Sequence, residues 1–143
     1  MELKVAKSAG FCFGVQRAVD SVYKEIEKNN GPIYTFGPII HNEQVVEDLE
    51  SKGVSVIETE ADLDTIEEGT VIIRSHGVSR AVYERIESRK VKIIDATCPF
   101  VKKIHQIVDE ESQNGKKIII IGNDNHPEVE GIRGWVHGES FVI

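Results

Sequence analysis

Cysteine is scarce in this 143-residue chain: only Cys12 and Cys98 occur, 86 positions apart, with no close Cys-x-x-Cys pair. That spacing argues against a disulfide-stapled scaffold and against a zinc finger. Long apolar runs are missing too. No stretch reaches the roughly 18 residues that a membrane helix needs, and "MELKVAKSAG" lacks the apolar stretch of a signal peptide. Positive charge is in deficit, with 17 Lys and Arg against 24 Asp and Glu and a net charge of −7. Nucleic acid and membrane surfaces are polyanionic and repel such a protein, so neither is an expected partner. A local site can still bind a small anion. The expected setting is soluble and cytoplasmic, with both thiols reduced unless something ligates them. There is no low-complexity tract and no Pro/Ser-rich linker. "GFCFG" offers backbone freedom but is neither a Walker A loop nor a G-x-G-x-x-G fingerprint.

What is present is the punctuation of an α/β protein, in which short β-branched runs alternate with amphipathic helices. An apolar content of 40% suffices for one domain's core. "LKVA" reads as a first strand, followed by a helix from about Gly14 to Lys28 that "NNGP" ends. Strands are expected at "PIYTF", "VSVIE", "TVIIRS", "VKIID", "KKIIIIG" and "SFVI". Helices are expected at "NEQVVEDLESKG", behind Ser79 as N-cap of "SRAVYERIESRK", from Pro99 to the stop at Gly115, and from Pro127. "ADLDTIEEG" is a polar link with one helical turn around Leu63 and Ile66. A chain that closes on an apolar strand, with no helix after it, reads as a piece of a longer protein.

Reactive residues recur at one kind of place. "AGFCFG", "FGPIIHNE", "RSHGVS", "DATCPF" and "GNDNHPEVEG" put Cys12, His41, His76, Cys98 and His126 where a strand ends and a helix begins. Ligands of open parallel sheets bind along that edge. Helix N-termini there present unpaired N–H groups and a partial positive charge, which suit phosphates and thiolates. Packing alone gives no reason to choose this edge five times. His105 reads differently: it shares a helical stripe with Val101, Ile104 and Val108, so a structural role is expected. Trp135 reads as core, "DEES" and the "VKK" pieces as solvated helix faces, and His137 carries no chemical signal. Asp95 orients either a turn or a ligand.

Two cysteines and three histidines leave several chemistries open. Zinc accepts such ligands, but four-ligand sites usually include a close pair. A Cys–His nucleophile is possible, with Cys12 activated by a helix terminus, and leaves Cys98 unexplained. An iron–sulfur cluster accounts for two thiolates from distant loops and needs a third cysteine. An iron-free phosphate-ester enzyme, a binding module, or a scaffold piece without activity of its own are the remaining readings.

"GFCFGVQRAVD", "HNEQVV", "SHGVS", "DATCPFVKKIH" and "NHPEVEG" together resemble the 4-hydroxy-3-methylbut-2-enyl diphosphate reductases, the last enzymes of the non-mevalonate isoprenoid pathway. The resemblance runs from Met1 to Ile143 and covers about the N-terminal half of a family member. It implies parallel-sheet α/β domains of a three-domain type, with residues 1–96 as the first domain and 97–143 as the start of the second. It implies a [4Fe-4S] cluster with Cys12 and Cys98 as two of three ligands, the third lying beyond this chain. His41, His76 and His126 would bind the substrate diphosphate, and Glu128 would carry the proton. The implied reaction removes the hydroxyl of the allylic diphosphate with two electrons from ferredoxin or flavodoxin, giving isopentenyl and dimethylallyl diphosphate. By the same resemblance this stretch alone would be inactive.

Overall fold

The computed structural model describes residues 2–143. Helix α1 (Phe13–Lys28) comes first and turns Ala18, Val19 and Val22 inward; Asn29, at φ 49°, ends it in the left-handed region. There follow β1 (Ile33–Phe36), α2 (Glu43–Ser51), β2 (Val54–Ile57), the single turn α3 (Glu60–Leu63), β3 (Thr70–Ile73), α4 (Arg80–Glu87) and β4 (Lys92–Asp95). The chain continues through α5 (Pro99–Gln113), β5 (Ile118–Ile120), α6 (Pro127–Arg133) and β6 (Ser140–Val142). Most helix starts carry the expected caps. Asn42 Oδ1 accepts from Val45 N–H at 3.1 Å and Ser79 Oγ from Val82 N–H at 3.3 Å, while Thr59 and Asp62 cap α3 reciprocally.

The first four strands form one parallel sheet in the order β2-β1-β3-β4, with Ile33 level with Val54 and Thr70, and Thr70 level with Lys92. Strand β3 is buried on both faces, which is why it reads as an unbroken apolar run. Its Ile72 joins Ile33, Val54 and Leu49 beneath α1 and α2. Its Val71 and Ile73 join Phe36, Leu63, Val82 and Ile86 beneath α3 and α4. Strands β5 and β6 pair in parallel as a second, two-stranded sheet, with α6 between them in the chain.

One expected strand is absent. Residues 3–6, "LKVA", form no ladder, and Leu3 and Val5 are 80% and 75% exposed. Four apolar residues gain little from an extended conformation when no neighbouring strand pairs their N–H and C=O groups. Cys12 therefore sits at a helix start but not at a strand end, a correction to the five-fold pattern above.

At the N-terminal end of the four-stranded sheet, α1 closes over a buried carboxylate. Glu25, 1% exposed, accepts from Thr70 Oγ1 (3.1 Å), Lys92 Nζ (2.5 Å) and Lys28 Nζ (3.0 Å). The Lys92 ammonium is the main reason its pKa falls to about 2; burial opposes this, and Lys28 and Thr70 assist.

Candidate functional site

The opposite, C-terminal end of the sheet carries the loops singled out in the sequence, and a chain of backbone hydrogen bonds joins them. Ser75 N–H donates to Ile39 O (3.2 Å), tying the loop after β3 to the loop after β1. Cys98 N–H donates to Ser75 O (2.9 Å), adding the loop after β4. Asp95 settles its role here: Oδ1 accepts from Thr97 N–H (3.0 Å) and Oδ2 from Lys102 Nζ (2.6 Å), which shapes the turn leading into Cys98.

Three imidazoles meet above this edge. The ring centroids of His41 and His76 are 4.4 Å apart, those of His41 and His126 5.8 Å, and those of His76 and His126 5.9 Å. His126 is the N-cap of α6, its Nδ1 accepting from Glu128 N–H at 3.2 Å, while His41 directly precedes the cap of α2. His76 is half-buried and its Nδ1 has no partner. Burial lowers its pKa to about 4, with the neighbouring His41, Arg74 and His126 acting in the same direction. A buried ring nitrogen without a partner costs free energy, so its persistence points to a missing partner. A cavity of about 210 Å³ opens beside it, lined by Phe11, Val15, Ile40, His41, Ser75 and His76.

Both cysteines are helix caps of an unusual kind. Cys12 caps α1 and Cys98 caps α5, yet neither side chain makes a capping hydrogen bond. Cys12 is exposed, Cys98 half-buried, and both thiols are free. The first-turn N–H groups and the helix dipole favour a thiolate at such positions. Gly14 brings the start of α1 close to Cys98: a Cβ on Gly14 would lie 2.5 Å from Cys98 Sγ. No group of three or more His, Cys, Asp or Glu is poised to hold a metal ion among the described residues. The Cys12 and Cys98 sulfurs nonetheless suit an iron–sulfur cluster: both are unbonded and sit at electropositive helix ends, and Cys98 faces Gly14, where any side chain would intrude on its sulfur.

The end of helix α6 packs closely on the start of α4: a Cβ on Gly134 would lie 2.2 Å from Ser79 Cβ, whereas one on Gly131 would make ordinary contact with His76 O at 3.6 Å. Trp135 Nε1 donates to Val78 O (2.9 Å), and its ring stacks on His105 at 5.6 Å. His105, 5% exposed, is thus structural as its stripe predicts, and burial lowers its pKa to about 4. His137 pairs with Asp109 at 2.7 Å.

Sequence reasoning missed Arg17, Arg74 and Ser75. Arg17 Nη2 donates to Thr97 O at 2.7 Å, across 80 positions. Arg74 lies half-buried behind the imidazoles, its guanidinium against Gly37, where a Cβ would be 2.4 Å from Nη1. Only their adjacency to Cys12, Cys98 and His76 in the motifs could have drawn attention to them.

Residues 3–143 match the family model described as LytB protein. The chain is 52% identical over 145 residues to the 4-hydroxy-3-methylbut-2-enyl diphosphate reductase of Thermoanaerobacter sp. (strain X514), covering 100% of this chain and 50% of that one. With the enzyme of the same name from Geobacter sulfurreducens it shares 47% identity over 143 residues, covering 100% and 49%. A solved (E)-4-hydroxy-3-methyl-but-2-enyl diphosphate reductase superimposes with a TM-score of 0.83 at 40% identity, over 99% of this chain and 50% of its own. The Plasmodium falciparum reductase does so at 0.88 and 34%, over 96% and 42%. The chain spans about half the length of the curated relatives it matches.

Proposed function

The chain belongs to the LytB protein family, and on that premise we propose that it forms the part of a 4-hydroxy-3-methylbut-2-enyl diphosphate reductase that grips the diphosphate and supplies two cluster thiolates. The observation that carries this reading is the meeting of three imidazoles, one with an unpartnered buried nitrogen, on the edge that also carries two cysteines free of capping bonds. Residues 1–96 are then the first α/β domain and 97–143 the start of the second, a boundary that falls between β4 and α5.

In this reading His41, His76 and His126 hold the substrate diphosphate. Imidazole N–H groups can donate to the diphosphate oxygens, and an anion there favours the protonated, charge-assisted form of His76. The starts of α2 and α6 add backbone N–H groups. Phe11 and Phe13 flank Cys12 but are themselves 43% and 67% exposed, so in this chain neither shields its sulfur from water. Cys12 and Cys98 would hold a [4Fe-4S] cluster together with one further thiolate. When bound, such a cluster supplies one-electron chemistry, fed by a ferredoxin or flavodoxin. The net reaction consumes two electrons and two protons, breaks the allylic C–O bond, and releases water with isopentenyl or dimethylallyl diphosphate.

Glu128 would deliver a proton. It lies in the first turn of α6, next to His126 and Pro127.

Anaerobic loading of the full-length protein, which brings the third thiolate, with iron and sulfide tests the division of labour. Visible sulfur-to-iron absorption should appear and should be lost in Cys12→Ser and Cys98→Ser. His41→Ala should keep the colour while its affinity for pyrophosphate falls about ten- to a hundredfold. A colourless protein that still binds pyrophosphate would favour an iron-free Cys–His enzyme instead.

A further inference from the structure

We infer that Arg17 is the positioning residue that holds the two cysteine-bearing helix starts at a fixed separation and sets the electrostatic environment of whatever the thiolates bind. The inference rests on the cluster reading above and deepens it. Arg17 and Gly14 are three apart on α1, hence on one face of the helix, and both address the loop before α5. Gly14 meets Cys98 Sγ, and Arg17 Nη2 donates to the carbonyl of Thr97, the residue just before Cys98. Cys98 N–H in turn holds Ser75 O beside His76. One side chain of α1 thereby couples the helix that Cys12 caps to the Cys98 turn and, through Ser75, to the histidine loop.

The guanidinium is not fully used by these contacts. Its Nε is buried without a partner, and no ion pair among the described residues involves it. An unneutralised, partly buried cation bonded to the residue before Cys98 is costly by itself and favourable beside an anionic thiolate assembly. Arginine suits this better than lysine because its planar fork can reach a carbonyl while keeping a delocalised charge turned elsewhere.

Two substitutions separate the mechanical role from the electrical one. Arg17→Met removes charge and hydrogen bond but keeps the stem's packing; Arg17→Lys keeps the charge without the fork. In the iron-free chain, amide exchange over residues 96–102 should quicken at least about tenfold in both variants. Peptides covering β1 and β3 should be unchanged, which also certifies the fold. In the iron-loaded enzyme, Arg17→Met should shift the midpoint potential downward and shed iron faster on gel filtration, whereas Arg17→Lys should keep the parental potential. Iron uptake by the parent with unaltered exchange, retention and potential in Arg17→Met overturns the inference and leaves the cluster reading standing. A parent that takes up no iron overturns the cluster reading, and with it the electrical half of this role, while the exchange arm still decides the mechanical half.

Discussion

The two ends of the four-stranded sheet treat polar groups in opposite ways. At the N-terminal end, Glu25 has three donors for its two oxygens and is almost fully buried, so α1 is sealed onto the starts of β3 and β4. At the C-terminal end, His76 Nδ1 and Arg17 Nε are buried with nothing to bind, and two helix-capping thiols make no capping bond. The same helix, α1, runs between the two, so the difference is not one of general packing quality. Saturated polar groups add to stability; unsaturated ones subtract from it and persist where a ligand can complete them. The N-terminal end closes the domain, and the C-terminal end leaves polar groups unpaired.

Substitutions at each end should therefore fail in different ways. The largest effect is expected from Glu25→Ala, which strands the buried Thr70 hydroxyl, empties the space the carboxylate fills and unpairs the half-exposed Lys28 and Lys92. Chemical denaturation should show a loss of about 3 kcal/mol with pyrophosphate affinity unchanged. Glu128→Gln in the iron-loaded enzyme should slow turnover at least about a hundredfold while cluster and substrate binding survive; turnover within about threefold of the parent would return Glu128 to an ordinary helix-end residue. His76→Ala inverts the Glu25 result: pyrophosphate affinity falls about ten- to a hundredfold by calorimetry, with stability within about 1 kcal/mol of the parent. If His76→Ala instead unfolds the protein as Glu25→Ala does, the contrast between the two ends collapses.

The smallest effect lies in the pH dependence, and it too distinguishes the ends. His76 and His105 titrate near 4 when folded and near 6.5 when unfolded, so the unfolded chain binds protons first and stability declines as pH falls below about 6.5. The Glu25 pKa is instead about 2 against an ordinary 4.5, so its contribution is intact above about 4.5 and is lost as pH falls toward 2. Acid denaturation should show both windows, and His105→Phe should flatten the upper one while retaining a stack on Trp135. Pyrophosphate should bind more tightly as pH drops from 7 toward 5, because the bound anion favours protonated His76.

Much of this was legible along the chain. Period and punctuation placed every helix and six of the seven expected strands, because amphipathic patterning, Ser79, Pro99 and Pro127 act locally. "LKVA" failed because a strand is a property of two segments, and composition cannot show the second. The histidine cluster was legible as residue types at one edge, but not as rings within 6 Å, since that depends on how α6 docks, with Gly134 packed against Ser79. Arg17 was illegible for the same reason: its partner is a main-chain carbonyl 80 positions away, and no residue identity marks it.

The 86 positions between Cys12 and Cys98 also carry a timing consequence during protein synthesis. At about 5–20 residues per second, Cys12 leaves the ribosome roughly 4–17 s before its counterpart does. Throughout that interval its helix start has no Thr97 carbonyl for Arg17 to grip and no Cys98 for Gly14 to seat. A metal delivered to the nascent chain meets a lone, exposed thiol, whereas one delivered after the fourth parallel strand has docked meets both. The first thiol made is thus the one left longest open to oxidants.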